Sequence, residues 1–290
     1  MKHHSLRAAA ARAVFALAVG TVAASPAFAA RVGVLSNKYA TETAADFNSR
    51  IPAHVFTAID TSASVPALSA LTGSYDVILV FEDSTYGNAT AVGNLAAAFA
   101  NSGRAVVIGA FYDQDRSDGP AVNSPHGWGA LEALDPNTTD GTGTPYAKRT
   151  LDVATMLVHP LTSGLTSLVS AKFAGGNQAK PGSTVLAWWK EPNARGQPDP
   201  AIAMRVTGAA CVIQLAIAPN YPSTTGTDNE FSGDFHKAWK NAFDFGAAKC
   251  VAAAGSTEPA PIPTLSQWGL ALTILLVAAG AFVPRRRRAR

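Results

Sequence analysis

The sequence predicts an α/β domain built on a mainly parallel sheet covered on both faces. Three observations point there. Short apolar runs alternate with helix-patterned segments over residues 31–109. The runs are continuously apolar rather than alternating, as strands buried on both faces are. After deduction of both ends, about 229 residues remain (30–258), enough for one sizeable core.

The elements follow in order. Arg31–Leu35 is a short apolar run and reads as the first strand. Thr41–Arg50 reads as a helix, with Thr41 or Thr43 as the cap. His54–Ile59 is a second strand and Val65–Leu71 a short helix. Tyr75-Asp-Val-Ile-Leu-Val-Phe81 is the strongest strand signal, rich in β-branched residues and closed by Glu82-Asp83. Asn88–Asn101 is an Ala-rich amphipathic helix stopped by Gly103. Arg104–Gly109 is the next strand. Phe111–Lys148 is too long and polar for a connector and reads as an insertion at the carboxyl edge of the sheet. One or two helical turns are expected within it, at Trp128–Leu134. Strands are then expected at 148–153, 169–173, 185–189, 201–206 and 210–217, with turns at Gly175-Gly176 and Thr207-Gly208. Asp234–Ala247 reads as a last helix carrying Trp239, Phe243 and Phe245.

Both ends read as addresses. Lys2, Arg7 and Arg12 precede a short apolar run, Ala13–Ala24, and Ala27-Phe28-Ala29 has the form of a signal-peptidase site. Residues 1–29 are therefore a signal peptide, cleaved between Ala29 and Ala30, for the general secretory translocon. At the other end, a Pro-rich spacer (255–261) leads into 262–290. Trp268–Val283 carries no charged side chain, and as a helix it would reach roughly 24 Å, slightly short of a bilayer core of about 30 Å. Trp268 sits where an interfacial aromatic belongs, and Arg285–Arg288 with Arg290 hold the far end on the cytoplasmic side. The domain at 30–254 therefore lies outside the cytoplasm, with a membrane contact through the helix at about 268–283.

The net charge of +3 misleads. Three of the 23 Lys and Arg belong to the signal and five to the tail, so 15 face all 20 Asp and Glu in the exported part, a balance of −5. Nucleic-acid binding is not expected of such a surface. Two cysteines, Cys211 and Cys250, allow one pairing in an oxidising compartment, and a disulfide is expected.

Ile262-Pro263-Thr264-Leu265, then Trp268-Gly269, a short apolar helix and a terminal Arg cluster resemble the IPTL-CTERM sorting tail of Gram-negative bacteria. The resemblance implies recognition and cleavage by an exosortase-type membrane protease, leaving the protein in the cell envelope or outside the cell. The strand–helix order, with His159-Pro160-Leu161-Thr162-Ser163-Gly164 and the closing Cys211-Val-Ile-Gln-Leu followed by Asn241-Ala242-Phe243, resembles the class I glutamine amidotransferase-like superfamily. That superfamily includes trehalose-utilisation-type domains. The resemblance implies a flavodoxin-like three-layer sandwich. Where the superfamily carries its nucleophilic Cys, this chain reads Ala110-Phe111-Tyr112-Asp113, so glutamine hydrolysis is not expected.

The remaining chemistry is sparse. Asp113, Asp115 and Asp118 put carboxylates in one loop, but Gly119 and Ser124 do not match an EF-hand. A solvated acidic loop is expected, with an irregular Ca²⁺ site as the alternative; no other metal or cofactor is called for. Asp113, Asp115, His126 and Glu82 fall near predicted strand ends, where open α/β sheets bind ligands, and are the candidate acid–base residues. His159 is expected to fix a turn and His236 to face solvent. Trp188 and Trp189, adjacent on a strand, should point to opposite faces, one into the core and the other either packed or free to stack on a sugar. Two functions follow. The first is a non-catalytic exported binding or structural module. The alternative is a degenerate amidotransferase-like hydrolase of a carbohydrate or amide.

Overall fold

The computed structural model describes residues 29–83, 88–110, 112, 127–138, 147–219 and 231–250, with side chains as far as 248. Strands β1 (Arg31–Ser36), β2 (Val55–Asp60), β3 (Val77–Val80) and β4 (Ala105–Ile108) alternate with helices α1 (Ala40–Arg50), α2 (Leu68–Ser74) and α3 (Ala89–Asn101). Then come β5 (Ala147–Thr150), β6 (Leu168–Ala174), β7 (Thr184–Trp188), β8 (Pro200–Thr207), β9 (Ala210–Leu215), β10 (Phe231–Gly233) and α4 (Phe235–Phe245). The central sheet runs β2-β1-β3-β4-β9-β8-β7. Neighbours from β2 to β9 pair in parallel, and β8 and β7 add antiparallel. The parallel part has the strand order of flavodoxin-type sheets. A second sheet, β10-β6-β5, was not foreseen from the sequence.

The strand pleat explains both layers. Val77 and Leu79 on β3, Ala105 and Val107 on β4, and Cys211 and Ile213 on β9 enter one core with Phe47 of α1 and Trp239 and Phe243 of α4. Their neighbours Ile78, Val80, Val106, Ile108 and Val212 enter a second core with Leu71 of α2 and Val92 and Phe99 of α3. Each such aliphatic side chain contributes roughly 1.5–3 kcal/mol when fully buried. Gly93 lets α3 sit on the 3-10 turn Gly129–Ala133; a Cβ there would lie 1.9 Å from the Trp128 carbonyl oxygen.

Two local expectations are corrected. The N-cap of α1 is Tyr39, in the left-handed region at φ 63 and without a side-chain cap; Thr41 lies inside the helix and Thr43 is buried. His236 does not simply face solvent. Its Nε2 stands 2.8 Å from Asp46 Oδ2, and its ring packs edge-on against Phe47, Phe231 and Phe235. α4 turns that face onto α1 because Phe235, Trp239 and Phe243 on the same stripe are buried.

Candidate functional site

The carboxyl edge of the parallel strands is the first place to look. At the end of β1, Ser36 Oγ donates to the Lys38 carbonyl (2.8 Å), and Asn37 Oδ1 accepts from the Asp83 amide (3.0 Å). Glu82 is fully buried just after β3. After β4 the described residues are closely packed. A Cβ on Gly109 would lie 2.9 Å from Pro219 and 3.2 Å from the Trp239 ring, and Ala110 packs with Ala218 and Phe173. Tyr112 is buried and stacked on Trp128, with ring centroids 4.6 Å apart. Its hydroxyl donates to Asp135 Oδ2 (2.9 Å).

Asp113, Asp115 and His126 lie outside the described residues, as does the acidic loop with Asp118. So do the sorting residues Ile262, Pro263, Thr264, Leu265, Trp268 and Gly269 and the apolar run behind them. Among the described residues no group of His, Cys, Asp and Glu could hold a metal ion, and no helix is long and apolar enough to cross a membrane. The described histidines serve the fold. His54 Nδ1 accepts from the Ala30 amide (3.1 Å), with Nε2 3.1 Å from Asp244, and burial lowers its pKa. His159 caps the turn Pro160–Thr162, as expected, accepting from the Leu161 amide. Ala29 is exposed and Ala30 buried, so the chain enters the fold between them. Cys211 is buried on β9, and the turn Gly246–Cys250 packs against β4 and β9.

Polar chemistry collects instead around the antiparallel extension and the second sheet beside it. Asp199 Oδ2 accepts from Arg149 Nε (2.9 Å) and its Oδ1 from the Gly176 amide (2.6 Å), all buried. Gly176 permits this approach, since a Cβ would fall 2.0 Å from the Pro200 carbonyl oxygen. Burial raises the Asp199 carboxyl, opposed by Gly176 and Arg149. Asp135, fully buried, pairs with Lys180 and receives the Tyr112 hydroxyl; burial still pushes its carboxyl up to about 7.

Beside Asp199 a pocket of about 480 Å³ opens at the β7 edge, lined by Asp152, Thr155, Trp188, Trp189, Lys190 and the loop 192–198. Both tryptophans line the pocket; Trp189 is buried and packs in the core, while Trp188 is half-buried at the end of β7, where the pairing with β8 shifts register. The edge is closed by β5 and the residues after it. Asp152 N donates to the Trp188 carbonyl (2.9 Å) and Lys190 N to the Thr150 carbonyl (2.8 Å). The loop is pinned by buried Asn193. Its Oδ1 accepts from the Arg195 and Gln197 amides (both 2.9 Å), and its Nδ2 donates to the Asn177 carbonyl (2.7 Å). Sequence reasoning singled out the Trp188-Trp189 pair without deciding which ring is buried. It missed Asn193, whose partners give no pattern along the chain.

Comparison with known proteins locates the tail. Residues 260–288 match the IPTL-CTERM motif. The IPTL-CTERM tail is a sorting signal, and it marks an exported, cell-envelope-associated protein. No curated protein matches the chain. Solved structures resemble it in fold. The cytoplasmic protein STM3548 from Salmonella typhimurium has a TM-score of 0.52 at 11% identity, over 74% of this chain and 98% of that one. The cytoplasmic protein STM1381 from Salmonella typhimurium LT2 has a TM-score of 0.50 at 13% identity, over 74% and 99%. A ThuA-like protein from Bacteroides uniformis has a TM-score of 0.45 at 12% identity, over 76% and 90%. At these identities the likeness concerns the α/β fold and carries no activity.

Proposed function

We propose that the chain is an exported binding module without catalytic function, delivered by its signal peptide and held briefly in the membrane by the helix at 268–283. An exosortase-type protease then recognises Ile262–Leu265 with Trp268 and Gly269 and releases the module to the cell envelope or exterior. The IPTL-CTERM match at 260–288 carries this reading. Signal-peptidase cleavage between Ala29 and Ala30 is supported by the chain becoming buried at Ala30. The non-catalytic assignment draws on the sequence after β4, which reads Ala110-Phe111-Tyr112-Asp113 with no Cys, and on the close packing of Gly109 and Ala110 there. A Cys211–Cys250 disulfide suits the oxidising destination, and no cofactor enters the reading.

Fractionation of cells expressing the wild type and Pro263→Ala/Trp268→Ala, with intact mass of the product, tests it. The wild type should lose its tail, while the variant stays full-length in the membrane fraction. Equal processing of both would overturn the sorting assignment.

A further inference from the structure

The pocket at the β7 edge is built with more care than a surface dent requires. Loop 190–199 contributes little to either core, yet it is tied down at three points. The Glu191 carboxylate accepts from the Thr150 amide (2.7 Å), Asn193 is the buried hub, and Asp199 closes the base on Arg149. Fixing polar side chains in this way costs conformational entropy, and a surface whose shape is held ready for a ligand recovers that cost on binding.

From its lining, we infer that this pocket binds a neutral saccharide. The inference rests on the reading of the ectodomain as a binding module. Trp188 lines the pocket half-buried, and an indole is a ring onto which the C–H face of a pyranose can stack. Around it stand Asp152, Thr155, Lys190 and Gln197, with Pro198 as a stiff rim. One carboxylate and one ammonium cancel, so the pocket selects neither anions nor cations. The two groups make opposite demands. Asp152 only accepts, and beyond the Ala154 amide (3.2 Å) and Thr155 hydroxyl (2.9 Å) its oxygens keep lone pairs to spare. Lys190 only donates. A ligand dense in hydroxyls answers both, because each hydroxyl donates and accepts. A proline-rich peptide also favours aromatic grooves, but each proline removes a donor, so it offers fewer donors beside Asp152 than a saccharide of the same length. The volume of about 480 Å³ falls within the usual range for small-ligand sites, roughly 300–1,000 Å³. A polysaccharide of the envelope and a free oligosaccharide share this chemistry.

The test is calorimetric titration of the full chain in a sugar-free detergent with maltose, cellobiose and chitobiose, and with a peptide of residues 255–263. At least one disaccharide should give saturable heat, with affinity falling about tenfold in Trp188→Ala. Gln197→Ala, at an exposed position, should weaken binding with the melting temperature unchanged. Co-sedimentation with isolated envelope polysaccharide separates the polymer from the free sugar as the source. No heat with any of the three sugars, affinity unchanged in both variants, or heat with the peptide alone would each overturn the inference. None of these results touches the sorting assignment, which fractionation decides separately.

Discussion

The two sides of the central sheet are held by different physics. From β2 to β4 the strands are short apolar runs whose alternate residues fill two cores, and their stability follows from area removed from water. Around β7 and β8, the second sheet and the turn before it, the chain buries Arg149 with Asp199, Asp135 with Lys180, and Asn193 against Asn177. An apolar core tolerates exchange of one aliphatic residue for another of similar volume. A buried polar hub does not, because removing one partner strands the other away from water. The candidate ligand pocket lies on the polar side. Such hubs fix the orientation of loops that an apolar contact would leave free to slide.

The sharpest way to break this comparison is to strand a buried charge. Arg149→Met leaves Asp199 buried with only the Gly176 amide, and should cost about 3–5 kcal/mol in urea denaturation. Arg149→Met with Asp199→Leu should recover much of that loss. If the single variant is no worse than the double, the hub is a passive filler and the two sides do not differ. Leu79→Ala on the apolar side should cost about 2–5 kcal/mol, with no partner substitution able to restore it.

Next in size is the seam between the sides. β9 pairs with β4 on one edge and β8 on the other, and the proposed Cys211–Cys250 bond would tie it to the turn after α4. Closing a loop of about 40 residues contributes roughly 4 kcal/mol in the chain-entropy model. Reduction should therefore lower the midpoint of unfolding, and alkylation without reduction should label no cysteine. Ready labelling of the untreated protein would remove the bond from the account.

The pH dependence of Asp135 sharpens the contrast within the polar side. Burial pushes this carboxyl up to about 7, against the pull of Lys180 and the Tyr112 hydroxyl. The unfolded carboxyl ionises near pH ~3.9. Between about pH 4 and 7 the folded state therefore holds more protons, and stability falls as pH rises through that window. Asp135→Asn should remove this slope, a difference on the order of a few kcal/mol across the window. A slope unchanged by the substitution would mean that Lys180 keeps the carboxylate ionised throughout.

The apolar side was legible in the sequence and the polar side largely was not. Tyr75–Phe81 and Arg104–Gly109 announce strands because a strand buried on both faces must be apolar throughout. β10 is three residues long and pairs with β6 about 60 positions away, so no local pattern marks it. Asn193 and Asp199 sit among Pro, Gly and Gln, a composition that reads as solvated loop. Their burial comes from Asn177 and Arg149, brought near only by the fold. At the pocket the adjacent Trp188 and Trp189 are visible in the sequence, but the polar rim depends on where the segment after β5 meets the end of β7, at the Leu151–Trp189 bridge.

The smallest effect should come from the carboxylate that joins the two sides at α4. Asp234 Oδ2 accepts from the Thr166 amide (2.7 Å), the Thr166 hydroxyl (2.9 Å) and the Ser167 amide (3.1 Å), while Oδ1 accepts from Lys237 (2.9 Å). Partial burial alone would raise this carboxyl, but the Lys237, Thr166 and Ser167 hydrogen bonds outweigh it and hold it well below the usual range. A lowered folded value gives stability that is present above the unfolded pKa and lost as pH falls. Asp234→Asn should then cost about 1–2 kcal/mol at neutral pH. The gap from wild type should narrow below about pH 4, where the unfolded carboxyl takes up its proton. Because Thr166 and Ser167 lead into β6 and Asp234 opens α4, loss of these bonds should raise amide exchange at the start of both elements together. Exchange rising at α4 alone would place Asp234 with the apolar side, as a helix-end charge rather than a joint.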